Sequence, residues 1–299
     1  MSNSKPRVKL TSIGILSRLA VMHYYTDQVG IDVRAVKEED RIVDVSAGIE
    51  IAHNLKLRLA SKEDAEFLAV FPTSIESIIP HSLNDYVLEY SLDANDDSKS
   101  MAEASDRIRR MMNSTVLAFR MLKPGYVDSN VILWITQRGK DKHPSLMAEK
   151  TIRAHPLDHY RLRIDELSKL TDLVQKVFNV DSARRRSLHI ALDRFNRSYY
   201  EIEDEDKLID FMIAFEALYL EGEGRFQHAI VPVACAMLLG QTPEERYEIR
   251  NLLNLAYEVR NSIVHGSDYR KKLRKKELEL EDLINDVEEI LRGSLRKLI

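Results

Sequence analysis

Residues 208–220 (LIDFMIAFEALYL) are the segment that most constrains the fold of this 299-residue chain. Eleven of the thirteen side chains are apolar, and the two charged ones are Asp210 and Glu216. A helix of this composition is apolar on nearly every side, so it is stable only when other elements surround it. The sequence therefore predicts a bundle of helices with this segment at its centre.

Helical patterns continue on both sides of the central segment. From residue 157 onward we expect no strand and at least five amphipathic helices, because apolar residues recur at spacings of three and four. Residues 225–239 supply one further helix. The apolar stripes of the others fall at 167–177, 188–199 and 283–291. The second half of the chain is thus predicted to be entirely α-helical.

The helix predicted after residue 242 carries signals at both ends. Thr242 is a suitable N-cap, Pro243 suits the first helical position, and Glu245 completes a capping box. Gly266 stands where a left-handed residue ends many helices. This placement puts His265 at the last position of the helix.

The first half of the chain has a mixed pattern. Short β-branched or alternating runs predict strands at 8–16, 41–45, 49–58, 86–90 and 131–136. A helix is predicted at 100–122, after a polar linker at 93–100, and a basic turn at 137–144. The expected architecture is an α+β N-terminal domain over 1–150, a candidate sensor or target-recognition domain, followed by an all-α domain over 151–299.

Composition limits the environment and the partners. The net charge of −4 excludes a generally basic nucleic-acid binder, so an RNA site must be a local basic patch. Cys235 is the only cysteine, which excludes an internal disulfide and fits a reducing, cytoplasmic setting. The longest apolar run is shorter than the ~20 residues that span a bilayer, and the polar N-terminus lacks a signal-peptide core. We expect no membrane partner.

An arginine followed five positions later by a histidine is the one catalytic pattern in the chain, and its spacing alone is weak. Only the fourth match lies at the end of a capped helix, with Asn261 directly after the arginine and Gly266 directly after the histidine. The four matches are Arg18/His23, Arg138/His143, Arg184/His189 and Arg260/His265.

Three ordered segments carry a more specific resemblance. Residues 188–196 (LHIALDRFN), 208–218 (LIDFMIAFEAL) and 257–266 (YEVRNSIVHG) together resemble the Apea-like branch of the HEPN superfamily, over roughly 165–295. The first 150 residues resemble no family that we recognise. The resemblance implies a HEPN-like helical bundle that dimerises and brings two arginine–histidine pairs into one cleft. It also implies metal-independent RNA cleavage, often in toxin–antitoxin or antiphage systems.

The chemistry of such a site needs few groups, because RNA supplies its own nucleophile, the 2′-hydroxyl. Arg260 is predicted to bind the scissile phosphate and His265 to act as general acid or base, with Asn261 in support. Five positions place the arginine and histidine about 140° apart on an ideal helix. They meet only if the helix end is distorted or if a second subunit contributes.

Two further sets of residues are candidates. Glu216 lies within the apolar segment, where a carboxylate needs a partner; it either positions Arg260 or is purely structural. A basic cluster just after the proposed site either steers phosphate or forms a solvated turn. Its RNA-binding candidates are Arg270, Lys271, Lys272 and Arg274.

The sequence leaves two alternatives open. The C-terminal domain is alternatively a non-catalytic binding or regulatory module, with the motif holding its dimer together. His155 and His159 have the spacing of two metal ligands on a helix, so a metal-dependent hydrolase is a second alternative. The leading prediction is an endoribonuclease with no metal and no cofactor. Its expected partners are RNA, a second copy of the chain, and an antitoxin or trigger protein.

Overall fold

The computed structural model describes residues 6–17, 19–22, 48–68, 86–148, 160–180, 185–220 and 227–299. The chain divides into two compact units, 1–178 and 179–299. The elements of the first unit are β1 (Arg7–Ser17), β2 (Leu19–Met22), β3 (Ile49–Ala52), β4 (Leu55–Leu59), α1 (Lys62–Leu68), β5 (Tyr86–Asn95), α2 (Ser98–Leu122), β6 (Asp128–Arg138), β7 (Asp141–Ala148), β8 (Tyr160–Arg163) and α3 (Leu167–Phe178).

An antiparallel sheet in the order β3-β4-β5-β1-β6-β7 forms the frame of the first unit. β1 lies in the middle of the sheet and pairs with β5 and β6. Helix α2 packs against β5 and buries Ile108, Met112 and Phe119. The strongly apolar strands and this helix stripe bury one another, which explains why the first half folds as α+β.

Two local predictions for the sheet were wrong in detail. Residues 49–58 form two strands, because the chain reverses at His53 and Asn54, and Asn54 adopts a left-handed φ of 65°. Asparagine tolerates this conformation, so the turn interrupts an otherwise continuous β pattern. The basic stretch at 137–144 lies largely within the β6–β7 hairpin, which turns at Gly139. The strand predicted at 41–45 lies outside the described residues.

The prediction of no strand after residue 157 was also wrong. β8 pairs in parallel with β2, about 140 positions earlier in the chain. Tyr160 and Leu162 on β8 are fully buried, and the Tyr160 hydroxyl donates to the Phe119 carbonyl at 2.9 Å. Burial against distant elements, rather than local pattern, holds this short strand in place.

Helix α3 belongs to the first unit. It packs against α2, where Arg110 lies over the Phe178 ring at 5.9 Å. The compact units consequently divide between Phe178 and Asn179, later in the chain than the boundary that the change of pattern suggests.

The second unit is helical throughout its described residues. Its central helix covers most of the apolar segment, with Leu208, Phe211 and Phe215 buried, and packs against the fourth, sixth, seventh and ninth helices. An α+β architecture with a helical C-terminal region is therefore confirmed. The helices are α4 (Arg186–Ser198), α5 (Asp204–Tyr219), α6 (Gln227–Leu239), α7 (Pro243–Val264), α8 (Arg270–Arg274) and α9 (Leu280–Leu298).

Among the described residues, no helix combines the length and the apolar character that crossing a bilayer requires.

Candidate functional site

Helix α7 begins where the sequence predicts. The Thr242 hydroxyl accepts from the Glu245 amide at 3.2 Å, and the Glu245 carboxylate accepts from the Thr242 amide at 3.3 Å. This capping box satisfies amides that have no partner within the helix. Leu253, Ala256 and Val259 then form the fully buried stripe that fixes the rotation of α7 in the bundle.

Helix α7 ends in a glycine turn. Gly266 has a left-handed φ of 67°, its amide donates to the Ile263 carbonyl at 3.1 Å, and the Ser267 amide donates to the Ser262 carbonyl at 2.7 Å. These two bonds are the Schellman pattern. His265 is the C-cap residue, with φ −94° and ψ 6°. Departure from helical geometry begins at His265, so the helix remains regular from Arg260 to Val264.

The three residues of the predicted catalytic set lie in the last turns of α7 with different exposure. The Arg260 side chain is half-buried, whereas Asn261 and His265 are exposed. Arg260 Nη1 donates to Asn261 Oδ1 at 3.1 Å. On an ideal helix Asn261 lies between the other two, about 40° from the direction of His265. Because Asn261 Oδ1 accepts from Arg260, the Asn261 side-chain N–H groups are available to a different acceptor.

The inner side of the Arg260 guanidinium faces the bundle. Its Nε is buried and has no hydrogen-bond partner, and the same holds for Glu216 Oε1 on α5 and the Tyr257 hydroxyl on α7. These groups lie close enough to influence one another electrostatically. Three buried polar atoms without partners at one helix–helix contact are unusual, since most such atoms are hydrogen-bonded.

Burial shifts the acid–base equilibria of this cluster. It raises the pKa of Glu216, and the nearby Arg260 guanidinium offsets part of that rise. Burial also raises the pKa of Tyr257, and the negative charge of Glu216 raises it further. The Arg260 charge thus acts on Glu216, but no hydrogen bond joins the two side chains among the described residues.

The basic segment after the glycine turn is anchored rather than loose. It forms the short helix α8, whose Leu273 is buried. The Tyr269 hydroxyl donates to Glu205 at the start of α5 at 2.6 Å. Lys272 Nζ donates to the Glu258 carbonyl of α7 at 3.1 Å. The buried leucine and these bonds hold the segment as a short helix against α7.

The remaining cations of this segment face outward. Lys271 lies 4.0 Å from Asp268, and Arg270 stacks over the Tyr269 ring at 5.2 Å. Arg270, Lys271 and Arg274 are exposed, and Lys272 is half-buried. The segment thus presents positive charge to solvent close in sequence to His265.

Sequence reasoning missed three residues of this region. Tyr257 lies one turn before Arg260 on the same side of α7, so the spacing of three could have drawn attention to it. Tyr269 and Glu205 are 64 positions apart, and no local pattern joins them.

Of the other three arginine–histidine matches, only Arg138/His143 has both residues in the described part of the chain. Arg138 pairs with Asp96 at 2.9 Å on an exposed hairpin. Arg18, His23 and Arg184 lie outside the described residues, as do His155 and His159. Among the residues that the structure does describe, no group of three or more His, Cys, Asp or Glu side chains is placed to hold a metal ion.

Comparisons of the chain with known protein families, curated proteins and solved structures found no match.

Proposed function

We propose that this chain is a metal-independent endoribonuclease of the HEPN type, with Arg260 and His265 as catalytic residues supported by Asn261. The observation that carries the proposal is the end of α7, where a half-exposed guanidinium, a carboxamide bonded to it and an exposed imidazole lie within six residues. The HEPN-like identity of the helical unit is part of the proposal and rests on the resemblance of the three ordered segments.

The reaction needs two proton transfers and a cationic group that stabilises the negative charge on the phosphate. The 2′-oxygen of RNA bonds to phosphorus while the bond from phosphorus to the 5′-oxygen breaks, which leaves a 2′,3′-cyclic phosphate and a 5′-hydroxyl. One group takes the 2′-hydroxyl proton and another gives a proton to the 5′-oxygen, a role suited to His265. Arg260 binds the phosphate oxygens and offsets the charge that develops on them.

Helix geometry makes a homodimer part of this proposal. Because α7 is regular up to Val264, Arg260 and His265 stay about 140° apart around its axis. A second copy of the chain supplies the missing neighbour, so that Arg260 of one copy works with His265 of the other. Each such pair then makes one site, in which His265 of one copy transfers a proton beside the guanidinium of the other.

Glu216 is proposed to position Arg260 from the inner side, where its carboxylate lies near the guanidinium. Outside the cleft, the basic segment is proposed to hold the RNA backbone. Its four candidates are Arg270, Lys271, Lys272 and Arg274. They stay near the proposed cleft through the bonds that anchor α8.

The cellular role follows from the resemblance. We propose a cytoplasmic toxin or antiphage effector, restrained by an antitoxin or released by a trigger. The first unit is then the part that senses the trigger or selects the target.

The direct test incubates purified protein with total RNA in excess EDTA. Wild type should cleave, and Arg260→Ala and His265→Ala should each lower the rate at least ~100-fold, as expected for loss of a charge clamp or an acid–base group. Arg250→Ala on α7 and His189→Ala on α4 are matched controls, since both residues are exposed. Equal activity of the catalytic and control variants would overturn the proposal.

Mixing the two inactive variants tests the dimer. If Arg260 and His265 act across subunits, refolding Arg260→Ala together with His265→Ala should restore about a quarter of the wild-type activity, because half of the dimers are mixed and each carries one intact pair. No recovery, with mixed dimers verified by mass, would place both groups of a working pair in one subunit.

A non-catalytic binding or regulatory module is the second candidate. It is favoured by the hydrogen bond of Arg260 to Asn261 of its own chain, which a structural arginine would also make. In that case wild type leaves RNA intact, while Arg260→Ala changes the oligomeric state in sedimentation.

A further inference from the structure

The outward side of α6 is apolar along its length. Ile230, Val233 and Met237 are 43%, 45% and 62% exposed. They follow one another at spacings of three and four, so they form a single stripe on the helix, the α6 stripe. The opposite side of the helix is buried in the bundle, with Cys235 fully enclosed. The α6 stripe is therefore a continuous apolar surface and not three scattered side chains.

The sequence around the α6 stripe contains no charge. No Asp, Glu, Lys or Arg occurs from position 226 to position 243, although these four types make up 31% of the chain. Every other helix of the second unit exposes charged residues, as solvated helices usually do. One example from each is Asp193, Asp206, Glu248, Arg274 and Glu289. An exposed helix side that is apolar and uncharged is typical of an interaction surface.

The absence of charge favours a second copy of the chain as the partner. In a two-fold contact each residue meets its own counterpart or a near neighbour, so a charged surface would repel itself and the α6 stripe does not. The stripe also matches itself in shape. Its midpoint lies between Val233 and the half-buried Ala234, which are small, and the longer Ile230 and Met237 lie at equal distances on either side. Two antiparallel copies would thus place Met237 of one against Ile230 of the other.

The start of α7 favours the antiparallel direction. Glu244, Glu245 and Glu248 are exposed and follow α6 directly after the turn at 240–242. A parallel pair would bring these carboxylates of both copies to the same end, whereas an antiparallel pair separates them. Because so short a turn makes α6 and α7 run in opposite directions, the antiparallel pair also directs the two α7 ends away from each other. This contact is therefore different from the one proposed at the end of α7.

We propose that the α6 stripe binds the α6 stripe of a second copy, antiparallel, about a two-fold axis between Val233 and Ala234. The 13 residues of α6 span about 20 Å, and the helix is about 10 Å wide. This surface is smaller than the ~800 Å² that each partner contributes to a standard stable interface. It forms the apolar centre of the contact, and the dissociation constant is expected to be about 10–100 µM.

Sedimentation of the full chain from about 5 to 500 µM tests the contact. Wild type should gain mass over this range. Val233→Glu and Met237→Glu should each lower the molar mass at the highest concentration about twofold, because each puts a carboxylate into an apolar contact. Ile202→Glu is the matched control, since Ile202 is 62% exposed like Met237 but precedes α5 in the chain. Equal loss of mass in the control and in Met237→Glu would contradict the assignment.

Mixing two charged variants tests the two-fold axis. Val233 lies beside the axis, so Val233→Glu and Val233→Lys should each dissociate alone, because like charges meet. An equimolar mixture of the two should associate at least as strongly as wild type. A mixture that stays dissociated would contradict the arrangement.

Cysteine substitutions test the direction of the helices. In the antiparallel pair, Ile230 of one copy is about 10 Å along the helix from Ile230 of the other, which is too far for a disulfide. Ile230→Cys and Met237→Cys should therefore cross-link with each other under mild oxidation, and neither should cross-link with itself. Self-linking of both variants would contradict the antiparallel direction. The native Cys235 is buried and does not compete.

The mass measurements also separate this contact from the nuclease proposal. A wild type that is monomeric at about 500 µM would overturn the α6 contact together with the dimer of the α7 ends. An assembly whose mass is unchanged by Val233→Glu and Met237→Glu would overturn the α6 contact alone. Circular dichroism of each variant verifies that a loss of mass does not reflect loss of the fold.

Discussion

Arg292 on α9 and Arg260 on α7 lie on neighbouring helices of one bundle, yet their surroundings differ completely. Arg292 is 1% exposed and its donors reach Glu288, Glu289 and the Tyr199 hydroxyl. Arg260 is half-buried and leaves its Nε without a partner.

Burial alone does not explain this difference. The more deeply buried arginine is the better satisfied one, as stability requires of a buried charge. The less buried arginine keeps hydrogen-bonding capacity unused beside two other unsatisfied groups, Glu216 and Tyr257. The polar groups around Arg292 are therefore satisfied within the fold, whereas the buried polar atoms around Arg260 are not.

The largest effect should come from exchanging each arginine for methionine, which retains most of the apolar stem. Arg292→Met should lower the free energy of unfolding by about 3–5 kcal/mol, because it leaves the half-buried Glu288 without its cation. Arg260→Met should cost less than about 1 kcal/mol, since its one hydrogen bond is to an exposed side chain. Urea denaturation of both variants measures the difference. Similar decreases in the free energy of unfolding for both variants would contradict the proposed difference between the surroundings of Arg292 and Arg260.

A smaller effect is expected at the bond that anchors α8. Tyr269→Phe should cost about 0.5–1.5 kcal/mol at neutral pH, because it removes the hydrogen bond to Glu205. That bond lowers the pKa of Glu205 below its ordinary value of 4.5. Its contribution is present above that value and is lost as the pH falls through the lowered pKa. Unfolding curves of wild type and variant should consequently converge in acid; a gap that stays constant down to pH 3 would argue against the bond.

The smallest effect, with the opposite dependence on pH, is expected at Glu216. Its pKa is raised by burial, so the folded chain holds the proton more tightly than the unfolded chain. The stability of wild type should then fall as the pH rises from about 4.5 through the raised pKa. Glu216→Gln cannot ionise and should lack this decline, which makes it slightly more stable than wild type at neutral pH. Denaturation between pH 4 and 8 measures both curves, and parallel curves would contradict the assignment.

Local rules predicted the framework of the site well. The capping box and the glycine turn of α7 depend on residues three to five positions apart, so Thr242, Glu245 and Gly266 define the helix wherever it packs. The same applies to α2, which ends at Leu122 as expected. The apolar composition of residues 208–220 also predicted correctly that this segment lies at the centre of the helical bundle.

The features that the sequence did not predict depend on contacts between residues far apart in the chain. β8 is four residues long and is held by a strand about 140 positions away, so its own sequence contains almost no signal. The unsatisfied cluster needs the crossing of α5 and α7 to bring Glu216 beside Tyr257 and Arg260. The sequence identified Arg260 by its motif and Glu216 by its place in an apolar segment, and it offered Arg260 as one partner of Glu216. Only the packed helices reveal that their buried atoms lack hydrogen bonds.

The short turn at Gly266 also limits the distance between His265 and the basic segment that begins at Arg270. Arg270 lies five positions after His265, and even a fully extended chain spans only about 17 Å between their Cα atoms. One strand of a DNA duplex advances by about 3.4 Å per nucleotide, which sets the scale for a stacked strand. Under the proposed function, an RNA that touched both residues of one chain would be held within about five nucleotides of the cut. The cleaved sequence would then be selected over a short window, and any longer recognition would come from other parts of the protein.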